Sequence, residues 1–124
     1  MPAIPVPRFE VFYRYAELTR LLQDYADALP GLIELRSIGQ SHEGRDIWLV
    51  VVTNRSMGED GDKPGFWVDG NIHAAELTAC TACLYWLHHL ALGYANDDAV
   101  TRLLDTRAVY IVPRLNPDGA ELAL

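Results

Sequence analysis

The sequence predicts an α/β fold, and three observations carry that reading. The run Val109-Tyr110-Ile111-Val112 is continuously apolar, which suits a strand covered on both faces better than one with a wet side. From Tyr15 onward, apolar residues recur at threes and fours, the period of an amphipathic helix. Phe66 to Ile72 reads as a short buried strand that passes at once into a long apolar helical stretch. With 124 residues, half of them hydrophobic and 22% charged, the chain has the size and composition of one folded domain or a piece of one.

Taken in order, Tyr15, Leu18, Leu21, Leu22, Tyr25, Ala26 and Leu29 share one helical face, and Pro30-Gly31 stops the helix. Leu32 to Ile38 alternates imperfectly, and Ile47 to Thr53 is a run of β-branched and apolar residues. The link between them, Ser41-His42-Glu43-Gly44-Arg45, has the glycine and polar content of a hairpin connection, so two antiparallel strands are expected. Asn54 to Gly65 holds three Gly, one Pro and five charges, which predicts a surface loop. The stretch from about Ala75 to Tyr94 is apolar nearly all round, the pattern of a helix buried on most sides. Asn96-Asp97-Asp98 can cap a shorter helix through Leu104, and Ala108 to Pro113 supplies the last strand.

Charge and cysteine content narrow the function. Ten Lys and Arg against seventeen Asp and Glu give a net charge of −7, which argues against a nucleic-acid partner and against an anionic membrane surface. Cys80 and Cys83 sit close together in an apolar run and offer no disulfide framework. The first twenty residues mix three prolines with charge where a signal peptide would need a continuous apolar stretch, so with Met1 as the native start the protein is expected to be cytoplasmic. The other end stops after Asn116-Pro117-Asp118-Gly119 and the first residues of a further element, which predicts a truncated domain.

The chemistry concentrates in Asp69-Gly70-Asn71-Ile72-His73-Ala74-Ala75-Glu76, at a strand-to-helix junction of the kind where open α/β sheets bind ligands. His73 offers an imidazole nitrogen and Glu76 a carboxylate, three residues apart across the bend, so both can converge on one zinc-sized ion. The bland alternative is a surface pair, with Glu76 favourably placed in the first turn of a helix. Neither H-E-x-x-H nor H-x-x-E-H is present, since position 77 is Leu. A catalytic zinc takes three protein ligands and keeps a position for water. His88 lies twelve residues beyond Glu76, on the order of 18 Å along a helix, and nothing around His42 orients it toward the pair. The third ligand is therefore expected from outside the segment.

Three pieces in this order and spacing, Ser41 to Ile47 (SHEGRDI), Phe66 to Glu76 (FWVDGNIHAAE) and Val112 to Gly119 (VPRLNPDG), resemble the amino-terminal part of the zinc carboxypeptidases, the carboxypeptidase A-like metallopeptidases. The resemblance runs from about Ile33 onward. It implies a mixed, mostly parallel twisted sheet with helices on both faces, of which residues 1–124 form about the first half of a single catalytic domain. It implies a zinc-dependent enzyme that hydrolyses peptide bonds at carboxyl termini, with a peptide or small amide as substrate, and it places the first two zinc ligands on His73 and Glu76. The third ligand, another His, the general-base Glu and the groups that hold the substrate carboxylate would all follow Leu124, leaving no catalytic residue in this chain. The chain alone is then expected to be inactive and to self-associate through an incomplete sheet edge. Many members carry Arg just before the ligand Glu, where this sequence has Ala75, which leaves the peptide preference open. Aspartoacylase and succinylglutamate desuccinylase relatives use a similar pair but usually read GxHGNE around it, and a non-catalytic binding module on the same fold is the third reading.

Other residues read more plainly. Asp69 could brace a metal ligand or serve turn chemistry with Gly70. Asn116-Pro117-Asp118-Gly119 is a tight turn, which the resemblance sets at the active-site end of the sheet. Arg114 is expected to be a solvated strand-end residue, Cys80 and Cys83 core thiols, and Trp48, Trp67 and Trp86 core material. Glu59, Asp60 and Asp62 are expected to form a solvated acidic loop and no calcium site.

Overall fold

The computed structural model describes residues 2–124. Its elements are α1 (Tyr15–Ala28), β1 (Ile33–Gln40), β2 (Asp46–Val52), β3 (Gly65–Asp69), α2 (Leu77–Gly93), α3 (Asp98–Thr106), β4 (Ala108–Val112) and α4 (Pro117–Ala123), with one-turn helices at Arg55–Met57 and Asp60–Asp62. The four strands form one sheet in the order β1-β2-β4-β3. The hairpin forms as expected, from Ile33 opposite Val52 to Ser37 opposite Trp48. β4 lies at the centre, antiparallel to β2 and parallel to β3. The sheet is therefore mixed, but "mostly parallel" does not describe this part of it. Only β3 and β4 run parallel, because α2 and α3 carry the chain back between them, whereas β1 and β2 are joined by a short turn.

The pleat divides the apolar residues between two faces. Val50, Val52, Val109 and Ile111 meet Leu18, Leu22 and Tyr25 of α1, Leu84 and Leu87 of α2 and Leu104 of α3 in one buried cluster. Leu49, Val51 and Val112 point the other way into a smaller cluster that takes nothing from these helices. Within this chain the three longer helices share one face of the sheet. α3 begins where the Asn96-Asp97-Asp98 triplet predicted, with the Asp97 carboxylate accepting from the Ala99 and Val100 N–H groups.

The second face is covered in part by the segment between β2 and β3. Asp60 is buried there, 2.7 Å from Arg36 and accepting a 2.8 Å hydrogen bond from the Tyr110 hydroxyl, while Glu59 and Asp62 are exposed. The hydrogen bond from Arg36 holds the Asp60 carboxyl below the usual carboxylate range. The solvated-loop reading therefore holds for two of the three acids. The buried-strand reading of Phe66 and Trp67 is also corrected, since both are exposed. Among the described residues β3 has a strand partner on one side only; Trp67 stacks on Tyr110 on one face, and Phe66 meets Trp86 of α2 edge-on on the other. Trp48 and Trp86 pack against the main cluster as expected. α2 buries Leu77, Cys80, Cys83, Leu84, Leu87, Leu90 and Ala91 along one stripe and leaves Tyr85 and Leu92 exposed, so a helix apolar all round is covered on one side here. No helix among the described residues is long and apolar enough to cross a membrane.

Candidate metal centre

Between the last residue of β3 and the first of α2 the backbone turns within seven residues, and each contact that makes this turn can be named. Gly70 lies where β3 meets α2, and a Cβ there would stand 2.8 Å from the Ala79 carbonyl oxygen and 3.2 Å from Cys83 Sγ. Only glycine allows that approach. Asn71 follows at φ +59°, a left-handed conformation that asparagine tolerates better than most residues. Its Nδ2 donates to the carbonyls of His73 (3.0 Å) and Ala74 (3.3 Å), and the Glu76 N–H donates to the His73 carbonyl (3.0 Å). The loop is thereby closed on itself, with its side chains at 73 and 76 brought together.

His73 Nδ1 stands 3.0 Å from Glu76 Oε1, and the two side chains are 79% and 56% exposed. The hydrogen bond from the imidazole holds the Glu76 carboxyl below its ordinary range. Bonds of about 2.0–2.2 Å from zinc to nitrogen and oxygen set two tetrahedral ligand atoms roughly 3.4 Å apart. An imidazole nitrogen and a carboxylate oxygen at 3.0 Å, open to solvent and free of other side-chain partners, fit two corners of such a site. Among the described residues, no three His, Cys, Asp or Glu side chains converge as a metal-holding group. His88 is turned elsewhere, its Nδ1 2.7 Å from the hydroxyl of buried Tyr25.

The downstream motif supports this loop. The Leu115 and Asn116 N–H groups donate to the carbonyls of Gly70 (3.0 Å) and Asn71 (3.1 Å), and Asn116 Nδ2 donates to the Ile72 carbonyl (3.2 Å). Asn116 also caps α4, its Oδ1 accepting from the Gly119 N–H. The expected tight turn is therefore a helix start, with Pro117 in the first turn where its missing N–H costs nothing. A Cβ on Gly119 would meet the Ala74 methyl at 2.8 Å, so this glycine lets α4 lie against the loop. Asp118 turns to the β1–β2 connection and accepts from the Ser41 hydroxyl (2.7 Å), the Glu43 N–H (3.0 Å) and Arg45 (2.8 Å). Burial pushes the Asp118 carboxyl up, but these donors outweigh it and the net shift is down. The three sequence motifs are thus one hydrogen-bonded unit.

At the margins of the site, Asp69 accepts from the Trp67 indole at 2.8 Å. One expectation fails. Arg114 is 4% exposed, not solvated. Its Nε donates to Asn71 Oδ1 (3.1 Å) and its Nη1 to the Tyr13 carbonyl (2.7 Å), which draws the guanidinium under the loop. Asn71 and Arg114 are the residues that the sequence reading missed, and the one local signal was the Gly-Asn pair at a strand end, a composition suited to a left-handed turn. A cavity of about 500 Å3 lined by Ala28, Leu32, Ala91 and Tyr94 opens at the far end of α2 and takes no part in this site. Cys80 and Cys83 are buried with raised thiol pKa values, that of Cys83 pushed up to about 12 by burial, which suits core thiols.

The chain is thus an α/β protein with a mixed sheet and an exposed His-x-x-Glu pair at a strand-to-helix junction. The sequence profile of the zinc carboxypeptidase family matches residues 18–124, and the chain belongs to that family. It is 33% identical to carboxypeptidase A2 of Rattus norvegicus over 111 residues, covering 90% of this chain and 25% of that protein. It is 36% identical to carboxypeptidase D of Mus musculus over 131 residues, covering 94% of this chain and 10% of that protein. The crystal structure of carboxypeptidase A from Helicoverpa armigera superposes with a TM-score of 0.78 at 27% identity, over 91% of this chain and 26% of that one. The chain thus spans about a quarter of the length of these relatives, or less.

Proposed function

We propose that this chain supplies the first two metal donors, His73 and Glu76, of a zinc-dependent carboxypeptidase that hydrolyses peptide bonds at the carboxyl termini of its substrates. The observation that carries this reading is the convergence of His73 Nδ1 and Glu76 Oε1 at 3.0 Å, on an exposed junction, in a chain of the zinc carboxypeptidase family. Zinc, when bound, supplies a Lewis acid that polarises a carbonyl and acidifies water. The residues of this chain supply position. Asn71 and Asn116 hold the backbone that carries the two donors, and Ala75, exposed between them, adds no charge to the substrate side of the loop.

With no third donor converging among the described residues, the 124-residue chain is expected to bind zinc weakly and to leave peptides intact. A zinc-dependent release of carboxyl-terminal residues by the purified chain, retained after repeated purification and lost on His73→Ala, would contradict the expected inactivity of the chain alone. The outer edge of β3 has no strand partner among the described residues and carries exposed Phe66 and Trp67, which supports pairing of this chain with itself. Size-exclusion chromatography is expected to show a mass that rises with concentration, and a constant monomer would refute this.

A further inference from the structure

Arg114 is a buried cation with no carboxylate within ion-pair distance among the described residues, since its two hydrogen bonds go to neutral oxygens on either side of it. Burying a fixed charge among neutral acceptors is expensive, so the arrangement asks for a reason. The acceptors supply one. Asn71 Oδ1 belongs to a side chain that is itself 1% exposed and whose Nδ2 holds the His73 and Ala74 carbonyls, and the Tyr13 carbonyl belongs to the arm that precedes α1. Rotation of the Asn71 amide would break the contacts to both His73 and Ala74. The guanidinium, donating along a fixed direction from Nε, sets that amide in the one orientation that keeps Nδ2 on the loop.

We propose that Arg114 and Asn71 are positioning residues for the metal pair: a buried relay from the Tyr13 carbonyl through the guanidinium and the Asn71 amide fixes the 73–76 backbone and so the separation of His73 and Glu76. The proposal rests on the assignment of those two residues as metal donors. It also makes the amino-terminal arm, 101 residues from Arg114 in sequence, part of the support of the site.

Two variants test it in the full 124-residue chain. Asn71→Gly keeps the left-handed backbone accessible and removes both side-chain contacts without altering charge. Arg114→Met removes the donor, with Arg114→Lys as a partial rescue. The first readout is affinity for Zn2+ alone, by competition with a chromophoric chelator at a temperature where every variant is folded, with His73→Ala as the blank. Both variants are expected to lose about tenfold or more in zinc affinity, as residues that orient a ligand typically do, with Arg114→Lys in between. A role confined to folding would lower the melting temperature and leave that affinity unchanged, and this result would overturn the proposal. The second readout needs no metal. Amide exchange of Glu76, whose N–H donates to the His73 carbonyl, is expected to quicken at least severalfold in Asn71→Gly while Val50 in the central sheet stays protected. Should the unaltered chain bind no zinc at His73, the metal reading fails and the exchange rates decide the relay alone, unchanged exchange at Glu76 refuting it.

Discussion

Gly70, Asn71 and Arg114 are buried and held by backbone or by paired hydrogen bonds, whereas His73 and Glu76, a few residues along the same loop, stand open to solvent and touch chiefly each other. The backbone that bears the candidate chemistry is held by buried groups, while the donors' side chains bond only within the pair, Glu76 Oε1 accepting from His73 Nδ1 and, at 3.4 Å, from the His73 N–H. Stability and metal affinity should therefore separate by residue: the support governs both, the donors only the second.

The separation can be broken most forcefully at Gly70. Valine there drives branched carbons into the Ala79 carbonyl, which is helix backbone and cannot move aside cheaply. The expected loss is about 3 kcal/mol, read from urea unfolding, and a change below about 1 kcal/mol would mean that β3 and α2 are not in contact as described. Asn116→Ala removes the cap of α4 and the hydrogen bond to the Ile72 carbonyl together. It should cost about 1 kcal/mol, with a matching loss of zinc affinity that marks Asn116 as support.

Acid sharpens the contrast further. Burial lowers the pKa of His88, at the opposite end of α2 from the metal pair and bonded to Tyr25. Its folded-state value lies below the unfolded one, so the unfolded chain binds the proton more readily. The stability it confers is complete above about pH 6.5 and is lost as pH falls through the lowered folded value. Unfolding titrations between pH 7.5 and 5 should show this decline, and His88→Phe should flatten it. His73→Ala should change stability by less than about 0.5 kcal/mol, as an exposed substitution does.

Much of this was legible in the sequence because it is local. α1, the hairpin, the Asp97 cap and the central strand β4 each announce themselves within ten or fifteen residues by period, turn chemistry or composition. The His73 and Glu76 pair was legible for the same reason, being three residues apart and flanked by motifs of one family. What failed was non-local. Arg114 reads as a strand-end charge because its acceptors lie 43 and 101 residues away, and Asp60 reads as a loop acid because Arg36 is 24 residues before it. Periodicity reports which residues are apolar, not which neighbour covers them. Trp67 and the outer side of α2 were therefore assigned to a core that this chain does not build around them.

The most direct test of the account is a zinc titration followed through the ring nitrogens of all four histidines in long-range proton–nitrogen correlation spectra. The account predicts that Zn2+ shifts the Nδ1 resonance of His73 while His42, His88 and His89 stay in place, and that Glu76→Ala abolishes the shift. A zinc-induced shift centred on another histidine, or one at His73 that is indifferent to loss of the Glu76 carboxylate, would contradict it.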